Sequence, residues 1–455
     1  MGKKIKILSP CGILGYGFPQ ESFVRGIAQK PDAIVVDAGS TDAGPHKLGS
    51  GVAIVSRMAM YQDLKMFVDH GVKAGIPVVI GSAGGAGADV HVRWTLEILN
   101  EVLKDAGVMA KVAIVHADIP HEVVMGAVKE NRIVSMGANI PMLDQQIVDA
   151  TGDIVAQMGH EPIIRALDTG ADIIMAGRAY DPSSFAAVCI RGGFDPGLAY
   201  HMGKVLECGA LCAEPGTTKD CIMGTIYEDH FEVEALNPIR RCTVTTVAAH
   251  TFYEKENPCL LHGPGFTLDL TGCRFEQVSE RAVAVYGSRF EKAETYNIKL
   301  EGACRVAYRT FVVAGIRDPL LISQLEEVEE LVKQSVRTQL HRLDPDSYQM
   351  NFYNYGIDGI MGETEPDRTP GKEICVMFEA LAETQELANT VCASMRSTLL
   401  HYGYEGRKST AGNLAFPFAP SDVPFGPVYR FSVYHLMQIP DPLELFPVEC
   451  VQMPR

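Results

Sequence analysis

No apolar run in this 455-residue chain reaches the roughly 18 residues that a membrane-spanning helix needs. The opening, Met1-Gly2-Lys3-Lys4-Ile5-Lys6-Ile7-Leu8, is too short for a secretion signal, so a cytoplasmic location without a membrane partner is expected. Basic residues are also scarce: 40 Lys and Arg against 56 Asp and Glu leave a formal net charge of −16. Nucleic acid and anionic membrane both demand a basic footprint, and neither is expected as a partner. Twelve cysteines run from Cys11 to Cys450 without a CxxC pair, and several sit in apolar stretches such as Ala187-Val188-Cys189-Ile190. These thiols read as reduced small hydrophobes. Cys208 and Cys212, the one close pair, read as packing because no second pair completes a metal site. No repeat of solenoid length and no low-complexity segment is present.

Apolar residues make up 47% of the chain, enough for a large core and, by length, for two or three domains. Through the first half one phrase recurs: a short β-branched run, a polar or glycine-rich turn, an amphipathic helix. Lys4–Leu8, Ala33–Val36, Pro77–Ile80, Lys111–Val115 and Ala171–Met175 are the runs. Glu21–Gln29, Met58–His70, Val90–Lys104, a segment ending at Lys129, and Glu161–Thr169 are the helices. This alternation predicts an α/β domain over residues 1–228, a Rossmann-like parallel sheet with helices on both faces and glycine-rich ligand-binding loops. After about residue 230 the texture changes. Cys242–His250, Phe266–Leu270, Ala282–Val285, Ile298–Leu300 and Val306–Val313 read as strands and Pro319–Leu340 as a helix. Ile374–Ala380 and Thr384–His401 then read as strand and helix, so residues 229–455 are expected to form an α+β domain. Glu363–Lys372 and Gly406–Asn413 carry no apolar period and read as exposed polar loops.

In a parallel sheet the loops that follow the strands gather on one edge, where ligands bind. The polar residues collect in those loops: Asp37, Thr41, Asp42 and His46; then Ser82 among its glycines; then His116, Asp118 and His121; then Arg178, Asp181 and Ser183. The stretch Ile76–Asp89 reads strand, glycine loop, helix. Gly81, Ser82, Gly84, Gly85 and Gly87, with the helix start behind them, could present N–H groups to a carboxylate or phosphate. The competing reading is that these small residues only allow close packing of helix on strand.

Several chemistries compete for this edge. Gly12, Gly15 and Gly17 give GxxGxG, not the GxGxxG of dinucleotide sites, although Asp37 lies at the right distance to hold a ribose hydroxyl. A nicotinamide-dependent dehydrogenase is therefore an alternative. A divalent metal could draw on Asp37, Asp42, His46, His116, Asp118 and His121. Acid–base chemistry needs no metal: a His and a carboxylate remove a proton beside a carbonyl while loop N–H groups hold the enolate. Here His116 or His121 with Asp118 moves the proton and Arg178 clamps a substrate carboxylate, the alternative for Arg178 being an ion pair with Asp181. Asp181 and Ser183 remain substrate or metal candidates. Nucleophilic catalysis lacks the Gly-x-Ser-x-Gly elbow.

The motifs CGILGYGFPQESFVRGI, DAGSTDAGPHKLGSG, IGSAGGAGAD, ADIIMAGRAYDPSSF, LECGALCAEPG, NPCLLHGPGFTLDL, IKLEGACRVAYRTFVVAGIRDPLLI, AGNLAFPF and YRFSVYHLM resemble, in order along nearly the whole chain, the acyclic terpene utilisation family AtuA. The resemblance implies a catabolic setting in which branched acyl-CoA thioesters are broken down. It also implies a branched or multi-carboxylate or acyl-CoA substrate and a small partner subunit. Catalytic residues do not carry over from it. The expectation is an enzyme of the lyase or hydratase type working by proton abstraction and enolate stabilisation, as a homo-oligomer. Its rival is a non-catalytic subunit that binds a small acid or CoA ester within a complex.

Overall fold

The computed structural model describes residues 2–41, 43–253 and 256–454. Two compact units divide the chain, one built from Met1–Cys304 and Phe431–Arg455, the other from Arg305–Arg430.

The strands, in chain order, are β1 (Ile5–Ser9), β2 (Ala33–Asp37), β3 (Val78–Gly81), β4 (Ala110–Val115), β5 (Ile133–Ser135), β6 (Ile154–Ala156), β7 (Ile173–Ala176), β8 (Ile222–Ile226), β9 (His230–Ala235), β10 (Leu260–Gly263), β11 (Phe266–Asp269), β12 (Arg274–Gln277), β13 (Ala282–Tyr286), β14 (Arg289–Lys292), β15 (Tyr296–Ile316), β16 (Tyr348–Tyr355), β17 (Ile374–Ala382), β18 (Val423–Ile439) and β19 (Val448–Met453). The first unit is organised by a ten-stranded sheet in the order β12-β13-β9-β8-β1-β2-β3-β7-β4-β19. Its centre, β1-β2-β3-β7-β4, is parallel throughout. β8, β9, β13 and β12 extend it antiparallel on one side and β19 on the other.

Successive strand residues point to opposite faces, and both faces here are buried. Ile7, Val35, Val79, Val115 and Ile174 face one core, against helices that include Ser183–Arg191 and Pro196–Leu206. Leu8, Val36, Ile80, Ile114 and Met175 face the other, against Gln20–Ala28, Arg57–His70 and Asp89–Ala106. That double coverage is why the central strands read as continuous apolar runs. The expected α/β architecture is observed, with antiparallel flanks added to the parallel centre. Residues of β9, β12 and β13, beyond position 228, join this same sheet through antiparallel pairing.

One segment departs from expectation. Cys242–His250, rich in β-branched residues, is overlapped by the helix Val244–Thr251 where a strand is expected. Thr243 and Thr246 form a reciprocal capping box at its start, each side chain accepting the other's backbone N–H. Local hydrogen bonding of this kind overrides a modest β propensity. The two expected strands Ile298–Leu300 and Val306–Val313 are one continuous strand, β15, and the expected helix over Pro319–Leu340 is two, Pro319–Ile322 and Leu325–Gln339.

In the second unit β17 is paired antiparallel with β16 on one side and with Tyr308–Ile316 of β15 on the other. The helices Leu325–Gln339 and Gln385–His401 bury Val328, Val332, Val336, Val391, Met395 and Leu399 in the same core as Val312, Val376 and Phe378. Gly406–Asn413 is a largely exposed loop.

Candidate functional site

Because β2, β3, β7 and β4 are parallel neighbours, the loops that follow them share one edge. They touch. The Arg178 N–H donates to the Gly87 carbonyl at 3.0 Å, and an Arg178 Nη1 hydrogen reaches Ser82 Oγ at 3.1 Å. The Asp89 N–H donates to Asp118 Oδ2 at 2.7 Å. The glycines of the loop explain how such contacts are possible. A Cβ on Gly87, whose φ is +70°, would lie 2.3 Å from the Arg178 nitrogen, and one on Gly39 would lie 2.0 Å from the Gly85 oxygen. Gly81, Ser82, Gly84, Gly85 and Gly87 are all buried. Three N–H groups of the loop are bonded inside the protein: Ser82 to Gly177 O, Ala83 to Ala176 O and Gly85 to Ser82 O. The loop thus works as close packing between strand ends, which leaves fewer of its donors for an anion.

Arg178 is the hub of this edge, and only 2% of its side chain is exposed. Its Nε donates to Glu301 Oε2 at 2.8 Å, and Nη1 reaches Asp181 Oδ1 at 2.9 Å and the Ala179 carbonyl at 3.0 Å. The guanidinium proposed for a substrate carboxylate is therefore bonded to two carboxylates of the chain itself. Glu301, wholly buried on β15, also accepts from Thr41 Oγ1 at 2.7 Å, Lys299 Nζ at 2.8 Å and Gln157 Nε2 at 3.2 Å. Burial alone would raise its carboxyl. The charges of Arg178 and Lys299 and their hydrogen bonds outweigh that and hold it at about 2. Arg178 is held protonated by Glu301 and Asp181 against the pull of burial.

Asp37, at the end of β2, is buried, and its Oδ1 has no hydrogen-bond partner among the described residues; nor does Ser184 Oγ. Burial first, and then the charge of Asp181, push the Asp37 carboxyl well above the usual range.

A second group lies at the helix start behind the glycine loop. His116 Nδ1 sits 2.7 Å from Asp89 Oδ1, and its Nε2 is 3.9 Å from Glu449 Oε2. The His116 side chain is 29% exposed, so the imidazole is reachable. Asp118 is pushed up to about 7, by burial first and then by the charge of Asp89. A histidine oriented by one carboxylate, next to an acid that titrates near neutrality, is an arrangement that can move protons.

The remaining candidates are dispersed. His121 opens the helix His121–Lys129 with its Nε2 at 3.0 Å from the Gly152 carbonyl. His46 opens the short helix His46–Ser50, its imidazole lowered by burial and by Lys47. Asp42 lies outside the described residues. Ser183 is buried, its Oγ 3.5 Å from Tyr200 OH, which in turn lies 3.0 Å from His160 Nδ1. Glu161 Oε2 accepts from Tyr296 OH at 2.7 Å beside that histidine.

Glu301, Lys299 and Asp89 carry much of this chemistry and escaped sequence reasoning. A signal for the first exists: a Glu amid the small and apolar residues Leu300, Gly302 and Ala303 is costly unless paired. Asp89 could be read as a first-turn acid, but its histidine partner is 27 residues away.

At the glycine turn after β1, the N–H groups of Gly15 and Gly17 donate to Asp63 Oδ2 at 2.7 and 3.2 Å. The chain's own carboxylate occupies the donors a pyrophosphate would need. Among the described residues, no group of three or more His, Cys, Asp or Glu side chains is placed to hold a metal ion, and no helix is long and apolar enough to cross a membrane.

The model of the acyclic terpene utilisation family protein AtuA matches residues 57–221 and 237–418, well over half of the chain. The chain belongs to the AtuA family. Comparison with curated proteins and with solved structures finds no match. The matched spans include the glycine loop, His116, Asp118, Arg178 and Glu301, and they extend into the second unit. The family is one of acyclic terpene utilisation, which is consistent with a catabolic role.

Proposed function

We propose that this AtuA protein is a catabolic enzyme of the lyase or hydratase type, acting on a branched or multi-carboxylate or acyl-CoA substrate through proton abstraction beside a carbonyl. The observation that carries the reading is the 2.7 Å contact between His116 Nδ1 and Asp89 Oδ1, which leaves Nε2, 3.9 Å from Glu449 Oε2, to act as the base. Asp118, near neutrality, supplies the complementary acid: in its protonated form it donates a hydrogen bond to the developing enolate oxygen and returns a proton later. Arg178 and Glu301 act as positioning residues, holding together the strand-end loops that frame this pair.

A second reading has its own observation. Arg178 is buried and engaged, and three N–H groups of the glycine loop are spent internally, which favours a non-catalytic subunit that binds ligand within a complex. Incubation in D2O with a panel of branched acyl-CoA thioesters and di- and tricarboxylates separates the two whatever the overall reaction. The enzyme reading expects deuterium at the α-carbon of at least one compound, detected by mass spectrometry, and a loss of roughly 100-fold or more in His116→Asn. Exchange undiminished in His116→Asn refutes the assigned base. A melting shift with one of these compounds and no exchange into any favours the binding subunit.

A further inference from the structure

We propose that the second unit carries a nucleoside-phosphate site, built by the loop Gly406–Asn413 and the cleft beside it. The cleft has a volume of ≈ 930 Å³, within the range of small-molecule sites, and lies wholly inside this unit. Arg317, Arg407 and Lys408 line it, against two acids, Asp318 and Glu373, in a chain whose net charge is −16. Asp318 accepts from Tyr404 OH and from the Leu320 N–H and keeps its charge, and Arg317 Nη1 donates to the Lys372 carbonyl at 2.6 Å, so Lys408 is the cation left to meet a ligand. Cationic surplus in so acidic a chain is a local feature that an anion would use.

The loop is held from its base while its tip stays open. Asn413 donates its Nδ2 hydrogens to the carbonyls of Leu399 at 2.7 Å and Tyr402 at 2.9 Å, and its N–H to Leu400 O at 2.8 Å. Ala415 and Gly315 exchange backbone hydrogen bonds at 2.8 and 2.9 Å and pin the far side. Arg407 folds back as a strut, with Nε to Asn413 Oδ1 at 2.8 Å, Nη1 to Ser409 Oγ at 3.1 Å and Nη2 to Ala411 O at 2.9 Å.

Within this frame the backbone N–H groups of Lys408, Ser409, Thr410, Ala411 and Gly412 have no hydrogen-bond partner among the described residues. Gly406 and Ser409 have φ of +77° and +54°, so the chain curls through left-handed turns in which successive N–H groups can converge. Unbonded N–H groups, two hydroxyls and the exposed Lys408 match the several oxygens of a phosphate, and the volume leaves room for a nucleoside beyond it. Tyr355, 42% exposed, and Tyr404 supply aromatic lining for a base. A free nucleotide and the nucleotide handle of a CoA ester offer this same chemistry. The proposal stands independently of His116.

Cys375 gives a built-in reporter. It lines the cleft and is exposed, while Cys450, also exposed, lies on β19 of the first unit. The full chain is alkylated with iodoacetamide and the two peptides are followed by mass spectrometry, with ADP, coenzyme A, inorganic phosphate or adenosine added. ADP or coenzyme A should slow Cys375 several-fold and leave Cys450 unchanged, with phosphate weaker and adenosine without effect; whichever nucleotide acts at lower concentration identifies the source. Lys408→Glu should raise the protecting concentration roughly tenfold or more, and His116→Asn should leave it unchanged. Protection by adenosine equal to that by ADP, no protection by ADP or coenzyme A, or full protection in Lys408→Glu overturns the proposal.

Discussion

Replacing Glu301 with Gln tests whether the strand-end loops are held by charge. The substitution keeps the shape and an accepting oxygen but removes the negative charge that faces Arg178 Nε at 2.8 Å and Lys299 Nζ at 2.8 Å. Two cations then remain at a site where Glu301 and Arg178 are almost wholly buried, with Asp181 the remaining carboxylate on Arg178. A drop in the Glu301 carboxyl from its ordinary 4.5 to about 2 corresponds to about 3 kcal/mol of stability. Loss of one member of a buried pair costs about 3–5 kcal/mol, so the two routes agree. Because the folded value is depressed, this stability is fully present above the unfolded value and is lost as pH falls toward about 2. The gap between wild type and Glu301→Gln should therefore be flat from about pH 8 to about pH 5 and shrink below. The single tryptophan, Trp94, lies in a helix of the first unit and reports the unfolding of that unit by fluorescence in a urea titration at each pH. A gap below about 1 kcal/mol at pH 7, or one that widens on acidification, refutes the reasoning.

Asp37→Asn should stabilise the first unit at pH 7 by about 1–3 kcal/mol, because the buried, partnerless Oδ1 belongs to a group whose folded value is raised. With that sign the benefit fades as pH falls toward the ordinary carboxylate value, where the unfolded chain binds the proton as well, and a urea midpoint series from pH 8 to pH 4 checks it. Asp63→Ala strips the acceptor from the Gly15 and Gly17 N–H groups and should cost about 2–3 kcal/mol near pH 4 by the same denaturation assay, and less at pH 7, where relief of the buried carboxylate, raised to about 6, offsets part of the loss. Gly87→Ala places a methyl against the Arg178 backbone at a left-handed φ, and should lower the thermal midpoint of the Trp94 transition by more than Gly107→Ala, where the added Cβ meets nothing within 4 Å. Thr243→Ala should cost about 1 kcal/mol through loss of the capping box, measured by the same urea titration.

Local patterns carried much of the architecture. The apolar runs that became β1, β2, β3, β4 and β7 are legible because strands covered on both faces cannot tolerate polar interruption. Their alternation with helices implied a parallel centre, which in turn implied that the loops holding Asp37, Ser82, His116 and Arg178 meet at one edge. Val244–Thr251 misleads because its β-branched content and its capping box point in opposite directions, and only the hydrogen bonds decide.

What the amino-acid order alone determined is the family motif set, the α/β alternation and the edge on which polar residues collect; these depend on neighbours a few positions apart. The partners at that edge were decided by tertiary structure. Glu301 comes to Arg178 from 123 residues along the chain, Asp89 to His116 from 27, and Asp63 to Gly15 from 48. A carboxylate lying near an arginine or a glycine turn in space leaves no mark in spacing. Only the folded chain could show that Arg178 is held by its own acids and that His116 is paired with Asp89.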